Sequence, residues 1–181
     1  MKLNTFIKLI FVILLSMTTL TMAKSAKTLD HEANMAINKF ISENKSADAF
    51  LVKAKAFLVF PEIKEAGFFV GGKYGEGVLR VQRTTKGYYS MTAASVGMQM
   101  GAQKYSMIIA FTTDDALNKF LLDGDEWETE VDGKIAVAEW NSKEEINKDY
   151  KDPMVAFVFD SKGLMGSFSM EGTKFKKIKA D

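Results

Sequence analysis

Between residues 28 and 44 the apolar side chains Leu29, Ala33, Ala36, Ile37, Phe40 and Ile41 return at intervals that fit a helix. Asp30, Glu32, Asn34, Asn38 and Glu43 fill the other side. This period predicts an amphipathic helix over residues 28–44, with Asp30 and Glu32 in its first turn, where negative charge complements the helix dipole. Ser46 can cap a second helix. Its apolar face is Ala47, Phe50, Leu51 and Ala54 and continues toward Phe57 and Leu58. Pro61 is expected to end it, because the residue before a proline is pushed out of the helical region.

From Gly67 the pattern shortens to that of strands punctuated by glycine. Leu79 and Val81 alternate with Arg80 and Gln82, and Thr84-Thr85-Lys86-Gly87 supplies a turn. Val96, Met98 and Met100 share one strand face, with Gly97, Gln99 and Gly101 on the other, a nearly flat surface that another element can approach closely. Residues 106–111 form a continuous apolar run, expected to be buried on both sides. A helix follows, capped by Thr112 or Thr113, with Asp114 and Asp115 in its first turn. Ala116, Leu117, Phe120 and Leu121 face the core and Gly124 lies just past the end.

Residues 126–130 alternate acid and apolar, and Asp132-Gly133 marks a hairpin turn. A two-residue Asp-Gly loop would set Glu128 opposite Val137. A three-residue loop, with Gly133 left-handed, instead pairs Trp127 with Val137 and Thr129 with Ile135, and is preferred. Ser142 and Glu145 suggest a capping box for a short surface helix within the polar segment 141–152, and a last hairpin joins 154–159 to 164–170. There is no internal repeat, linker or domain boundary. The reading is an α+β domain: a mostly antiparallel, curved or barrel-like sheet with an N-terminal helix pair and one further helix packed on it.

The first residues read differently. Lys2 and Lys8 flank an uncharged start, Leu9 to Leu15 is a short apolar run, and Thr21-Met22-Ala23 places small residues where a signal peptidase reads. Ser16, Thr18, Thr19 and Thr21 interrupt the run well before the roughly 20 apolar residues a membrane span needs. Residues 1–23 are therefore expected to be a signal peptide, leaving 24–181 as one domain exported to the periplasm or cell envelope.

Composition narrows the chemistry. The chain has 181 residues, 24 Lys plus Arg against 23 Asp plus Glu, one His and no Cys. Near-neutral charge gives no electrostatic footprint for nucleic acid. Without cysteine, and with a single histidine, disulfides, thiolate sites and multi-histidine metal centres are excluded, so no metal or cofactor is expected. His31 reads as a solvated helix residue. The Gly71–Gly77 cluster fits neither GxxxxGK[ST] nor a GxGxxG that opens a helix, and reads as a turn between strands. An EF-hand loop from Asp123 fails, since its fifth and sixth positions are Trp127 and Glu128. No nucleophile and base are paired, so an enzyme is not expected and no catalytic residue is assigned. Lys53, Lys55, Lys64 and Lys73 beside Phe57, Phe60, Phe68 and Phe69 suggest instead a basic rim around an apolar surface, a combination that suits an anionic membrane interface. Lys174, Lys176, Lys177 and Lys179 read as a basic tail.

Three ordered blocks then carry a resemblance. Ala54-Lys-Ala-Phe-Leu-Val-Phe-Pro61, Ala66-Gly-Phe-Phe-Val-Gly-Gly-Lys-Tyr-Gly-Glu-Gly-Val78 and Ser95-Val-Gly-Met-Gln-Met-Gly-Ala-Gln103 resemble the SYLF domain family. The likeness continues through Ile108-Ile-Ala-Phe111, Ser161-Lys-Gly-Leu-Met-Gly166 and Glu171-Gly-Thr173, so that it spans residues 46–178. Tyr88 to Ala94 stand where the family has a Trp and a Pro. The resemblance implies a stand-alone, exported, bacterial-type lipid-binding domain, and with the basic rim the expected role is non-catalytic binding of anionic phospholipid or a membrane surface in the envelope. Lys53, Lys55, Lys64, Lys73, Phe68 and Phe69 are its candidate lipid contacts. The alternative is an envelope structural or adaptor protein that binds a protein partner.

Overall fold

A computed structural model describes residues 24–44, 46–122, 126–138, 150–160 and 169–181, and leaves aside the side chains of residues 68, 69 and 95–101. The expected signal peptide, the Ser142/Glu145 helix, Gly124 and most of the 164–170 strand lie outside the described residues. Among the described residues three helices, α1 (Ala26–Glu43), α2 (Ala47–Lys53) and α3 (Asp114–Leu122), accompany six strands. These are β1 (Ala56–Val81), β2 (Thr84–Phe111), β3 (Glu126–Glu128), β4 (Ala136–Ala138), β5 (Met154–Phe159) and β6 (Lys174–Ile178). The sheet is ordered β3-β6-β2-β5-β4, with β1 antiparallel to β2 and β4 parallel to β5. It is the expected curved, mostly antiparallel sheet with helices on both faces.

Alternation along the strands fills both faces. Met107, Ile109 and Phe111 point into one core with Leu58, Phe60, Phe120, Trp127 and Phe175, while Ile108 and Ala110 join Phe40, Phe50, Phe57 and Phe157 in the other. The run 107–111 is apolar throughout because α1 and α2 cover one face and α3 the other. Each such fully buried aromatic or aliphatic side chain contributes roughly 1.5–3 kcal/mol.

The long hairpin is the main departure from expectation. The second helix stops at Lys53, and Phe57 and Leu58 are already in β1. Pro61 sits inside β1, at an irregularity where the pairing passes from Phe60↔Met107 to Ile63↔Tyr105. A proline cannot donate to a ladder, so it belongs at such a bulge. Ser106 donates its hydroxyl to the Pro61 carbonyl at 2.7 Å. The Gly71–Gly77 cluster is not a turn either. β1 runs straight through it and folds back on its own first half. A methyl group on Gly67 would lie 2.3 Å from the Gly71 Cα, and one on Gly77 would lie 2.6 Å from the Val59 carbonyl oxygen. Glycine is needed where backbone meets backbone.

The turn between β1 and β2 is Gln82-Arg83, both left-handed with φ of 49° and 66°, so Thr84 and Thr85 belong to β2. This two-residue turn has positive φ at both centres. Helix α1 begins earlier than its period suggested, with the Ser25 hydroxyl accepting from the Thr28 amide at 3.2 Å. Asp30 therefore lies beyond the first turn. At α2, Ser46 makes no side-chain cap; the Asn44 side chain accepts from the Ser46 amide instead. In α3, Thr113 caps as expected, accepting from the Ala116 amide.

The 126–138 hairpin does not form in either proposed register. β3 pairs with β6 and β4 pairs with β5, so Trp127 meets Phe175 and Val137 meets Ala156. Aromatic packing drives this separation: Trp127 lies 5.7 Å from Phe120 and 5.8 Å from Phe175 by ring centroids. Glu130, with φ of 71°, takes the left-handed position assigned to Gly133. Gly133 is glycine for a different reason, since its Cβ would fall 2.9 Å from the Trp127 ring. Gly133→Ala is expected to lower stability by about 1–2 kcal/mol through overpacking. Adding Trp127→Phe should restore part of that loss in urea denaturation, and equal penalties with and without it would exclude the ring contact. The basic tail, finally, is strand β6, with Phe175 buried and Lys174 paired to Glu126 and Glu128 at 3.2 and 3.1 Å.

Candidate functional site

The four lysines of the expected rim are strung along β1 and the segment before it, and do not form one patch. Lys53 is exposed at the end of α2, and Lys55 reaches Asp114 at 2.9 Å. Lys64 is exposed on β1, 3.4 Å from Glu62. Lys73 turns inward: its side chain is 7% exposed, its Nζ lies 4.0 Å from Glu65 and it donates to the Ser169 carbonyl at 3.4 Å. Burial lowers the Lys73 pKa, and the nearby Glu65 charge opposes that shift. A strand's period of two explains the split, because positions 64 and 73 differ by an odd number and must face opposite sides. Phe68 and Phe69 lie on β1 between them, opposite Met100 and Gly97.

On the inner side of the curl, Glu65, Lys73 and Tyr105 form a polar cluster. Glu65 is 2% exposed and neither of its oxygens finds a hydrogen-bond donor among the described residues. Burial raises the Tyr105 phenol, and the Glu65 charge adds to this. Tyr74 is pushed up to about 12, first by burial and then by its hydrogen bond to Glu76 at 2.8 Å. Glu76 also accepts from the Lys24 amide at 3.0 Å, which ties the start of α1 to β1. Two residues of this cluster, Glu65 and Tyr105, are invisible to sequence reasoning. They share the Ile63 face only after the irregularity at Pro61 shifts the alternation by one.

The outer side has the opposite character. From Ala66 to Gly72 on β1, and from Gly87 to Gln103 on β2, no residue is charged. The register sets Ala66 against Ala102 and Gly72 against Ala94. Ala66, Val70, Gly72, Ala94 and Ala102 are all exposed, Val70 at 69%. This uncharged ribbon ends at a direct cross-strand pair, Lys64↔Lys104. Like charges opposite one another repel, and Glu62 sits between them, accepting from Lys104 at 2.9 Å and lying 3.4 Å from Lys64. Lys104, and then Lys64, hold the Glu62 carboxyl below its usual range. Lys104 was missed in the sequence, although it closes the long uncharged run.

Among the described residues no group of three or more His, Cys, Asp or Glu side chains could hold a metal ion. His31 is exposed on α1, as expected. Among the described residues the arrangement offers an exposed apolar ribbon with a basic end.

Residues 92–180, from the middle of β2 through β6, match the Ysc84 family, described as Las17-binding protein actin regulator. Over those residues the chain is similar to the Ysc84, or SYLF, family, the family its sequence blocks resemble. The chain is also 24% identical over 155 residues to Beta cell expansion factor A of Aeromonas veronii. That alignment covers 84% of this chain and 58% of the relative, so the chain spans little more than half the length of the protein it matches. Both similarities fit a binding or regulatory SYLF domain.

Proposed function

We propose that this SYLF domain binds anionic lipid membranes without catalysis, as an exported protein of the cell envelope, through the uncharged ribbon and the lysines at its end. The observation that carries the proposal is the exposed, charge-free stretch of the β1–β2 hairpin closed by Lys64 and Lys104. An apolar surface with a basic edge is the pattern that enters a head-group layer. Each lysine near an anionic surface contributes about 1 kcal/mol, screened over roughly 10 Å at 0.1 M salt. Lys64 and Lys104 replace Lys73 as the relevant cations, because Lys73 is committed to the interior. A second reading, an envelope adaptor that binds a protein partner, draws support from the family description, which names such a partner.

Flotation with phosphatidylglycerol liposomes tests the first reading. Lys64→Gln with Lys104→Gln is expected to weaken binding at least about tenfold at low salt, two such contacts being worth roughly 2 kcal/mol. The gap should close as salt rises. Val70→Asp should weaken binding at every salt concentration, and Lys53→Gln with Lys55→Gln should change little. Equal binding to phosphatidylcholine liposomes, or indifference to the Lys64 and Lys104 changes, would defeat this reading in favour of the protein partner. A dominant effect of Lys53 and Lys55 would move the contact to the α2–β1 junction.

A further inference from the structure

Residues 24–26 are held at several points. Ser25 caps α1, the Ala26 amide donates to the Asp181 carbonyl at 2.9 Å, and the Lys24 side-chain Nζ lies 2.6 Å from Glu32. The backbone nitrogen of Lys24 has a different partner, donating to Glu76 Oε2 at 3.0 Å. Glu76 is 8% exposed, and its other oxygen accepts from the Tyr74 hydroxyl at 2.8 Å. Both donors are uncharged. Glu62, half-exposed, has two lysines beside it, whereas the buried Glu76 is held among the described residues by neutral groups alone. A carboxylate taken out of water without a cation beside it is costly.

The sequence can supply the missing charge at that same nitrogen. Residues 1–23 are the expected leader, and Thr21-Met22-Ala23 is the pattern after which a signal peptidase cuts. Hydrolysis there breaks the C–N bond between Ala23 and Lys24. The water oxygen goes to the Ala23 carbonyl carbon, which departs as a carboxylate, and both water protons pass to the Lys24 nitrogen, which becomes an α-ammonium. A neutral donor turns into a cation in place. We infer that Lys24 is the processed N-terminus of the working domain and Glu76 its receptor, so that cleavage creates an ammonium–carboxylate pair fastening α1 to β1. The inference rests on the export reading above. Charge-assisted hydrogen bonds of this kind are roughly twice as strong as neutral ones. Around the pair stand Tyr74 on β1, Glu32 with Lys24 Nζ at α1, and Lys176 of β6, which shares the row Glu76↔Ser90↔Lys176. The precursor, with an amide at this point, is the less stable form, and the domain tightens once its leader is removed.

Both cores are built from Leu29 onward among the described residues, so two chains can be compared. One begins at Lys24; in the other Ser-Gly-Ser precedes it, which keeps the amide and carries the ammonium away. At neutral pH the first is expected to show a folding equilibrium constant about tenfold larger in urea denaturation, the equivalent of raising the α-amino pKa by about one unit, or roughly 1.4 kcal/mol. The ordinary α-amino value is about 7.7–8.0. The advantage is complete below it and is lost as pH rises through the higher folded value, where the two chains converge. NMR titration of the isotope-labelled α-amine reads the same shift directly. Glu76→Gln should return the amine to its ordinary range and erase the difference between the chains, whereas Glu32→Gln, which touches only the Lys24 side chain, should preserve it. Equal stability of the two chains, an α-amine that titrates in its ordinary range, or a difference that survives Glu76→Gln would overturn the inference. Export is read separately, from the intact mass of the full chain recovered from the cell envelope. Retention of Met1 would defeat the export reading, and with it the processing step, even where the two shortened chains differ as expected.

Discussion

Gly77→Ala is expected to destabilise the domain by about 3 kcal/mol, at the upper end of what overpacking costs. The added methyl would meet the Val59 carbonyl oxygen at 2.6 Å and the Phe60 ring at 2.6 and 2.8 Å. The oxygen is backbone and the ring is wholly buried, so neither can swing aside. Relief requires the two halves of β1 to separate, which would open the core shared by Phe60, Leu79 and Phe175. Gly72→Ala provides the contrast within the same glycine-rich run. Its Cβ would have the Ala93 carbonyl at 3.8 Å as its nearest neighbour, an ordinary contact, and restricting the unfolded chain should make it neutral or stabilising by about 0.5 kcal/mol. Matching urea midpoints for the two variants would show that β1 does not cross itself as described.

The same crossing explains how much of the protein could be read from its residues. Helices α1 and α3 and the apolar run 107–111 were legible because each has one environment per face, and period alone then identifies it. A 26-residue strand that curls over itself has no such constancy. Its apolar positions change parity at Pro61, its glycines answer to backbone contacts as distant as Gly77 with Val59, and its turn uses Gln82-Arg83 where Asn-Gly would have announced itself. The candidate lysines suffered from the same cause. Lys64 and Lys73 look alike in a list of basic residues, yet one faces solvent and the other Glu65. Lys104, the partner of Lys64, becomes visible only once the register is known. Strand β6 was hidden because a single buried residue, Phe175, sits among four lysines that resemble a solvated tail.

Asp30→Ala should have the second largest effect, about 2–3 kcal/mol, because Asp30 pins α1 to the hairpin. Its two carboxylate oxygens accept from Thr85 at 2.7 Å and from Tyr88 at 3.0 Å, and lie 3.0 Å from the Arg80 guanidinium. Arg80 is buried, and removing the partner of a buried charge costs about 3–5 kcal/mol. Asp30 itself is 33% exposed, so water can partly replace it and the loss falls below that range. Glu32→Ala, two residues on, breaks only the half-exposed Lys24–Glu32 pair and should cost at most about 1 kcal/mol. A spectroscopic signature separates the specific bond from general loosening. The Tyr88 pKa is raised, chiefly by burial and then by its hydrogen bond to Asp30, whose charge also disfavours the phenolate. Without Asp30 both of the latter effects vanish, so Tyr88 should ionise at lower pH, detectable as phenolate absorbance that Tyr88→Phe removes. The raised phenol also sets the sign of the pH dependence. Its stabilising contribution is complete below the unfolded value of 10.0 and declines as pH rises through the higher folded value. Asp30→Ala should therefore narrow the stability gap to the unaltered protein as pH climbs past 10.0. A gap that stays constant, with no movement of the tyrosine titration, would mean that the Asp30 network does not hold α1 against the sheet.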